Sequence, residues 1–183
     1  MLSGNKAKNL NTLEEVRWKV DRCVLVGNSY GGGIAISALG TCNLANAAIA
    51  FCPLLEPSKQ NLKNDEDDLI TLYPYLERCH ENVFRHLDKK EWQHYLDGTH
   101  PANPTKFIDK IINKPLLLVH GAMDKSILPY HTENFHRELI HNGSSKADIL
   151  IQADVGHGKE LRISTKDSWI KWLINRRNDL WTR

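Results

Sequence analysis

The run Gly27-Asn28-Ser29-Tyr30-Gly31 sets a serine between two glycines in the pattern G-x-S-x-G. Where such a serine follows a strand and opens a helix, a strained turn lifts its hydroxyl above the sheet. The flanking positions must then be small, because a Cβ at either would collide with neighbouring backbone. A serine hydroxyl is a weak nucleophile at its free pKa; it needs a base, and the base needs an orienting acid. In this context the acid and then the base follow in chain order, each just past the C-terminal end of a later strand. Asp124, in His120-Gly121-Ala122-Met123-Asp124, and His157, in Gly156-His157-Gly158, meet that test. The glycines beside His157 let its ring approach the serine closely. Asp154 is an alternative acid, but lies only three residues before His157 and would have to fold back to reach the ring. Chemistry of this kind, acyl transfer through a serine, needs no cofactor.

Other reactive residue types carry less. His131, His136 and His141 are spaced five apart, and steps of five rotate about 140° on an α-helix, so they share no face. No H-x-x-x-H or H-E-x-x-H pair occurs, and no metal is expected. The acidic run Asp65-Glu66-Asp67-Asp68 lacks the spaced ligands and glycine of a calcium loop and reads as the start of a helix. Cys23, Cys42, Cys52 and Cys79 form no CxxC pair; Cys23 and Cys52 sit in apolar runs, which points to free, reduced thiols and a cytoplasmic location.

The elements that must position these groups alternate between short apolar runs and longer helical patterns, the signature of an α/β fold with a mostly parallel sheet and flanking helices. Thr12 is placed to cap a helix from Leu13 to about Val20. Cys23–Val26 reads as a strand buried on both faces, ending at Gly27. Ile34–Leu39 is small and apolar, a helix close to the sheet, and Ala47–Phe51 is a second strand stopped by Pro53. Leu116–Val119 and Asp148–Ile151 complete the set of strands. Pro129–His141 is helical, and Thr165–Arg176 is an amphipathic helix with Trp169, Trp172 and Leu173 on one face.

Residues 53–105 differ: they are richer in charge and aromatics and hold no strand, as in a helical cap inserted into a single domain spanning 1–183. Asp88 is expected to cap a helix through Leu96 ended by Gly98, and Asn103-Pro104 to start another through Ile111. Tyr73, Tyr75, Phe84, Trp92 and Tyr95, at helical spacing, read as core rather than as a lipid-contacting patch.

With 183 residues, 41% of them hydrophobic and 25% charged, the chain suits one ordinary globular domain. Its net charge of +2 gives no electrostatic case for nucleic acid or an anionic membrane. No apolar run approaches the roughly 20 residues of a membrane helix, and no secretory signal is seen at the start.

On Val24–Gly32, Lys114–Asp124 and Gly156-His157-Gly158, the chain resembles the α/β-hydrolase superfamily, and within it the catalytic domains of prolyl-oligopeptidase-like serine peptidases. The serine-tyrosine-glycine-glycine and histidine-glycine-x-x-aspartate runs are typical of that group; His100-Pro101-Ala102-Asn103 resembles the segment before the next strand. The resemblance spans about residue 12 to about 177. It implies Ser29 as nucleophile, Asp124 as orienting acid, His157 as base and the backbone N–H of Tyr30 as an oxyanion-hole donor. The implied substrate is a small molecule or peptide carrying an ester or amide.

The chain departs from that family ahead of the elbow strand. Only 21 residues precede Arg22, fewer than the early strands and the loop with a second oxyanion donor that the resemblance implies, so a fragment of a longer hydrolase or a natural short form is expected. Losing one such donor typically costs about 10²–10³ in rate. The open edge of strand 23–26 invites pairing, either with a missing N-terminal segment or with a second copy in a homo-oligomer. Three activities stay open: a serine hydrolase of esters or amides, a non-catalytic hydrolase remnant acting as an interaction module, and a thioesterase or lipase-like enzyme.

Overall fold

The computed structural model describes residues 5–18, 23–58, 76, 78, 80 and 86–176. Its first two strands, β1 (Asn5–Lys8) and β2 (Glu15–Trp18), pair antiparallel as a hairpin. This corrects the helix expected after Thr12. The Asn9 side chain accepts from the N–H groups of Asn11 (2.9 Å) and Thr12 (3.3 Å), a local turn that competes with helix. The Thr12 hydroxyl accepts from Glu14 N–H at 3.4 Å instead of capping a helix. Val16 and Trp18, β-branched and aromatic, favour the extended chain that follows.

The main sheet is parallel, in the order β3-β4-β5-β6, formed by β3 (Cys23–Asn28), β4 (Ala45–Phe51), β5 (Leu116–Gly121) and β6 (Ala147–Gln152). Every apolar run expected to be a strand is one, extended by one to two residues at one or both ends. The helices are α1 (Tyr30–Thr41), α2 (Lys89–Leu96), α3 (Ile108–Ile111, after a 3₁₀ turn at Pro104–Phe107), α4 (Pro129–His141), α5 (Lys159–Ser164) and α6 (Lys166–Asn175). Asp88 caps α2 as expected, accepting from Lys90 N–H at 2.7 Å and Glu91 N–H at 3.3 Å.

The two faces of the sheet bury alternate residues. Ala48, Ala50, Leu116 and Leu118 pack with Ile36 and Leu39 of α1 and Phe135 and Leu139 of α4. Ile49, Phe51, Leu117 and Val119 face the other way, toward Leu161 of α5 and Trp169, Trp172 and Leu173 of α6. That two-sided burial is why β4 and β5 read as unbroken apolar runs. Asp148 ties α6 to β6, its Oδ2 accepting from the Trp172 indole and from Arg176, both at 2.7 Å. Among the described residues β3 is paired on one side only, by β4, and Val26 is 62% exposed and Ile34 49%.

Residues 53–105 contain no strand among those described. Trp92 and Tyr95 of α2 are buried and stacked, and the Tyr30 ring meets both edge-on. The Trp92 indole donates to the Leu76 carbonyl at 3.1 Å. Tyr73, Tyr75, Phe84 and the acidic run 65–68 lie outside the described residues. Cys23, Cys42 and Cys52 are free thiols; Cys79 lies outside the description. No described helix is long and apolar enough to cross a membrane.

Candidate active site

Ser29 follows β3 directly and precedes the first residue of α1. Its backbone has φ 57° and ψ −125°, a conformation that a non-glycine residue holds only when its surroundings enforce it. The enforcement is visible. Ser29 N–H donates to Phe51 O at 2.8 Å, while Ser29 O accepts from Gly32 N–H (2.9 Å), Gly33 N–H (3.3 Å) and Leu54 N–H (3.0 Å). Gly27 is required because a Cβ there would lie 2.0 Å from Gly31 O. Gly31 differs from expectation: a Cβ there meets nothing within 4 Å. The tight positions after the serine are Gly32, against Pro53, and Gly33, where a Cβ would fall 2.2 Å from Leu54 O. Steric pressure comes from the loop after β4, which crosses the second and third glycines rather than the first.

Asp124 lies three residues past β5 and His157 five past β6, so in a parallel sheet both stand on the same edge as Ser29. The two loops join through backbone. Met123 N–H donates to Val155 O at 2.9 Å, and Ala122 N–H to Gln152 O at 2.8 Å. A Cβ at Gly121 would sit 2.3 Å from Val155 O, which explains the glycine in the H-G-x-x-D run. This contact brings His157 Nδ1 to 2.6 Å from Asp124 Oδ2. The other carboxylate oxygen, Oδ1, accepts from Ser126 N–H (2.8 Å) and Ile127 N–H (3.0 Å). Asp154, the alternative acid, is exposed and has no such bond among the described residues. No hydrogen bond joins Ser29 to His157 among the described residues.

Burial alone would push the Asp124 carboxyl up. Hydrogen bonds from His120, His157 and Ile127 and the charge of His157 outweigh it and hold the group well below the usual carboxylate range. His120 is a participant that the sequence pattern did not single out. Its ring is fully buried, with Nε2 at 3.1 Å from Asp124 Oδ2 and 2.8 Å from Ile127 O, and Nδ1 at 2.8 Å from the Thr132 hydroxyl. The signal was its place four residues before Asp124.

Cys52, His120 and Asp124 set their ligand-type atoms within 4.8 Å of one another, all buried. A metal would need the thiolate. Burial pushes the Cys52 thiol strongly up, toward the protonated form, and the Asp124 charge adds to this. His120 and Asp124 are already bonded to each other and to backbone, with the protonated thiol beside them. Of the α4 histidines, His136 Nε2 lies 3.1 Å from Ala147 O, while His131 and His141 line a cleft of about 360 Å³ with Glu56, Arg137 and Glu138. The five-residue steps do separate His136 from its neighbours, but His131 and His141 share that cleft.

A parallel sheet flanked by helices, with a strained serine turn at one strand end and paired carboxylate and imidazole at two others, defines the α/β-hydrolase fold. The model of the prolyl oligopeptidase family matches residues 11–176, and the chain belongs to that family. No curated protein matches the chain. Among solved structures it is similar to an acylaminoacyl peptidase of Pyrococcus horikoshii, with 18% identity and a TM-score of 0.59 over 88% of this chain and 25% of that one. It is also similar to an esterase of Pyrococcus furiosus, with 14% identity and a TM-score of 0.55 over 87% of this chain and 54% of that one. A third is acetyl xylan esterase 1 of a Thermoanaerobacterium, with 20% identity and a TM-score of 0.58 over 91% and 48%. The chain thus spans about half the length of the two esterases and a quarter of the peptidase.

Proposed function

We propose that the chain carries the catalytic residues of a serine hydrolase that cleaves an ester or amide through an acyl-enzyme. The observation that carries this reading is the 2.6 Å bond between His157 Nδ1 and a buried carboxylate, on the sheet edge where Ser29 holds a strained turn. Asp124 accepts from Nδ1–H and so leaves His157 Nε2 as the basic nitrogen. Nε2 takes the Ser29 proton as Oγ bonds to the substrate carbonyl carbon. The carbonyl oxygen becomes an oxyanion, received by the N–H of Tyr30 in the first turn of α1. As the tetrahedral adduct collapses, the leaving alcohol or amine takes the proton from Nε2, and water repeats the sequence to release the acid. Family membership and the presence of both esterases and a peptidase among similar folds support an acyl substrate without choosing its leaving group. A fluorophosphonate probe is expected to label the chain and Ser29→Ala to abolish labelling; labelling that survives the substitution overturns the assignment.

A second reading, a non-catalytic remnant serving as an interaction module, is favoured by one observation: among the described residues β3 is paired on one side only, with Val26 and Ile34 exposed beside it. A parallel sheet is normally covered on both faces, and an open edge is a pairing surface for a preceding segment or a second copy. Size-exclusion chromatography alongside the probe separates the two readings. A soluble oligomer without labelling supports the module; a labelled monomer counts against it.

A further inference from the structure

We propose that His120 is a positioning residue that holds the Asp124 carboxylate in line with His157, acting through a hydrogen bond to the same oxygen that His157 uses. The inference rests on the reading of Asp124 and His157 as acid and base. Asp124 Oδ2 lies between two imidazoles, 2.6 Å from His157 Nδ1 and 3.1 Å from His120 Nε2. Two backbone N–H groups fix Oδ1, but they come from Ser126 and Ile127, in the same loop as Asp124, and move with it. His120 is different in kind. It belongs to β5 and is fully buried, so it ties the carboxylate to the sheet.

The tautomer follows from the partners. Nε2 faces only acceptors, the Asp124 carboxylate and the Ile127 carbonyl, so it must carry a proton. Nδ1 faces the Thr132 hydroxyl at 2.8 Å, which is able to donate to it. Thr132 is itself buried on α4, so the ring joins strand, loop and helix at one point. The remaining titratable group at Asp124 is the Cys52 thiol, which burial keeps protonated and which also interacts with the carboxylate. His120 touches no substrate in this arrangement; its effect on the reaction passes entirely through Asp124.

Two near-isosteric substitutions divide the ring. His120→Gln keeps a donor near the Nε2 position, facing Asp124 and Ile127 O. His120→Asn keeps a polar group near the Nδ1 position, facing Thr132, and loses that donor. In variants shown to fold by thermal melts, ester turnover is compared with the far-downfield proton resonance of the Asp124–His157 hydrogen bond. His120→Asn is expected to lower kcat on the order of 10²-fold, as a displacement of about 1 Å does, with KM little changed. The resonance should be lost, and His120→Gln should restore most of both. A folded His120→Asn chain with wild-type kcat and resonance overturns the proposal, as does a Gln variant no better than Asn. Should His120→Asn not fold, Thr132→Val carries the test, with kcat lowered about fivefold, the equivalent of one neutral hydrogen bond; unchanged kcat and resonance there overturn it equally. A wild-type chain that turns over no ester defeats the hydrolase reading, and the resonance still decides the role of His120.

Discussion

His157 Nδ1 stands 2.6 Å from Asp124 Oδ2, with the aspartate side chain wholly buried and the histidine side chain 24% exposed. A buried acceptor paired with a partly open ring engages one nitrogen and leaves the other without that partner. Replacing the acceptor by an amide therefore tests the chemistry without removing bulk. Asp124→Asn is expected to reduce kcat on the order of 10⁴-fold by favouring the wrong tautomer, measured with an activated ester. A fall of less than tenfold would mean that another acid, with Asp154 the first to examine, orients the ring.

The same carboxylate makes stability depend on pH. Burial opposes its charge, but its hydrogen bonds hold it below the ordinary carboxylate range, so the unfolded chain binds this proton before the folded one does. The stabilisation is complete above about pH 4, the ordinary aspartate value, and is lost as pH falls below it, by up to about 1.4 kcal/mol per pH unit for one group. Urea midpoints taken from pH 6 down to pH 3 should decline for the wild type. They should decline less steeply for Asp124→Asn.

The elbow glycines should not respond alike. Gly27→Ala forces a Cβ to 2.0 Å from Gly31 O and should prevent folding or lower the melting temperature severely. Gly31→Ala enters open space within α1 and, alanine being the better helix former, should be neutral or stabilising by up to about 1 kcal/mol. Paired thermal melts decide this; equal damage from both would mean that the turn is built differently.

Thiol labelling gives a test independent of activity. Cys52 is fully buried and its thiol is pushed strongly up by that burial, so in the folded chain at pH 8 it should resist iodoacetamide. In urea it should label at the rate of an ordinary cysteine. Fast labelling of Cys52 in the native state, read by mass spectrometry, would show that the cluster under Asp124 opens.

The central strands were readable because burial on both faces turns them into plain apolar runs, as in Leu116–Val119. Ser29, Asp124 and His157 were readable because each follows such a run with glycine beside it or just before it. The N-terminal hairpin was not. Its strands are four residues long and exposed from Lys6 to Arg17, so no periodic core face marks them, and Thr12 with Glu14 and Glu15 imitates a helix start. The open space at Gly31 is not legible in the sequence because the glycines after the serine look alike there, whereas the crossing of residues 53 and 54 touches only the later two. The bonding of His120 is hidden in the sequence for a related reason: its partners Ile127 and Thr132 reach it only once α4 has packed on the sheet.

The lacing of the aspartate and histidine loops by main-chain atoms has a consequence for redesign. Met123 contributes its N–H to the Val155 carbonyl while the residue is 58% exposed. The register of Asp124 against His157 is thus written in peptide groups, which nearly every amino acid supplies. Met123 is accordingly a position for a substitution library: its side chain is open to variation beside Asp124 and His157, while the clasp that sets their spacing stays intact.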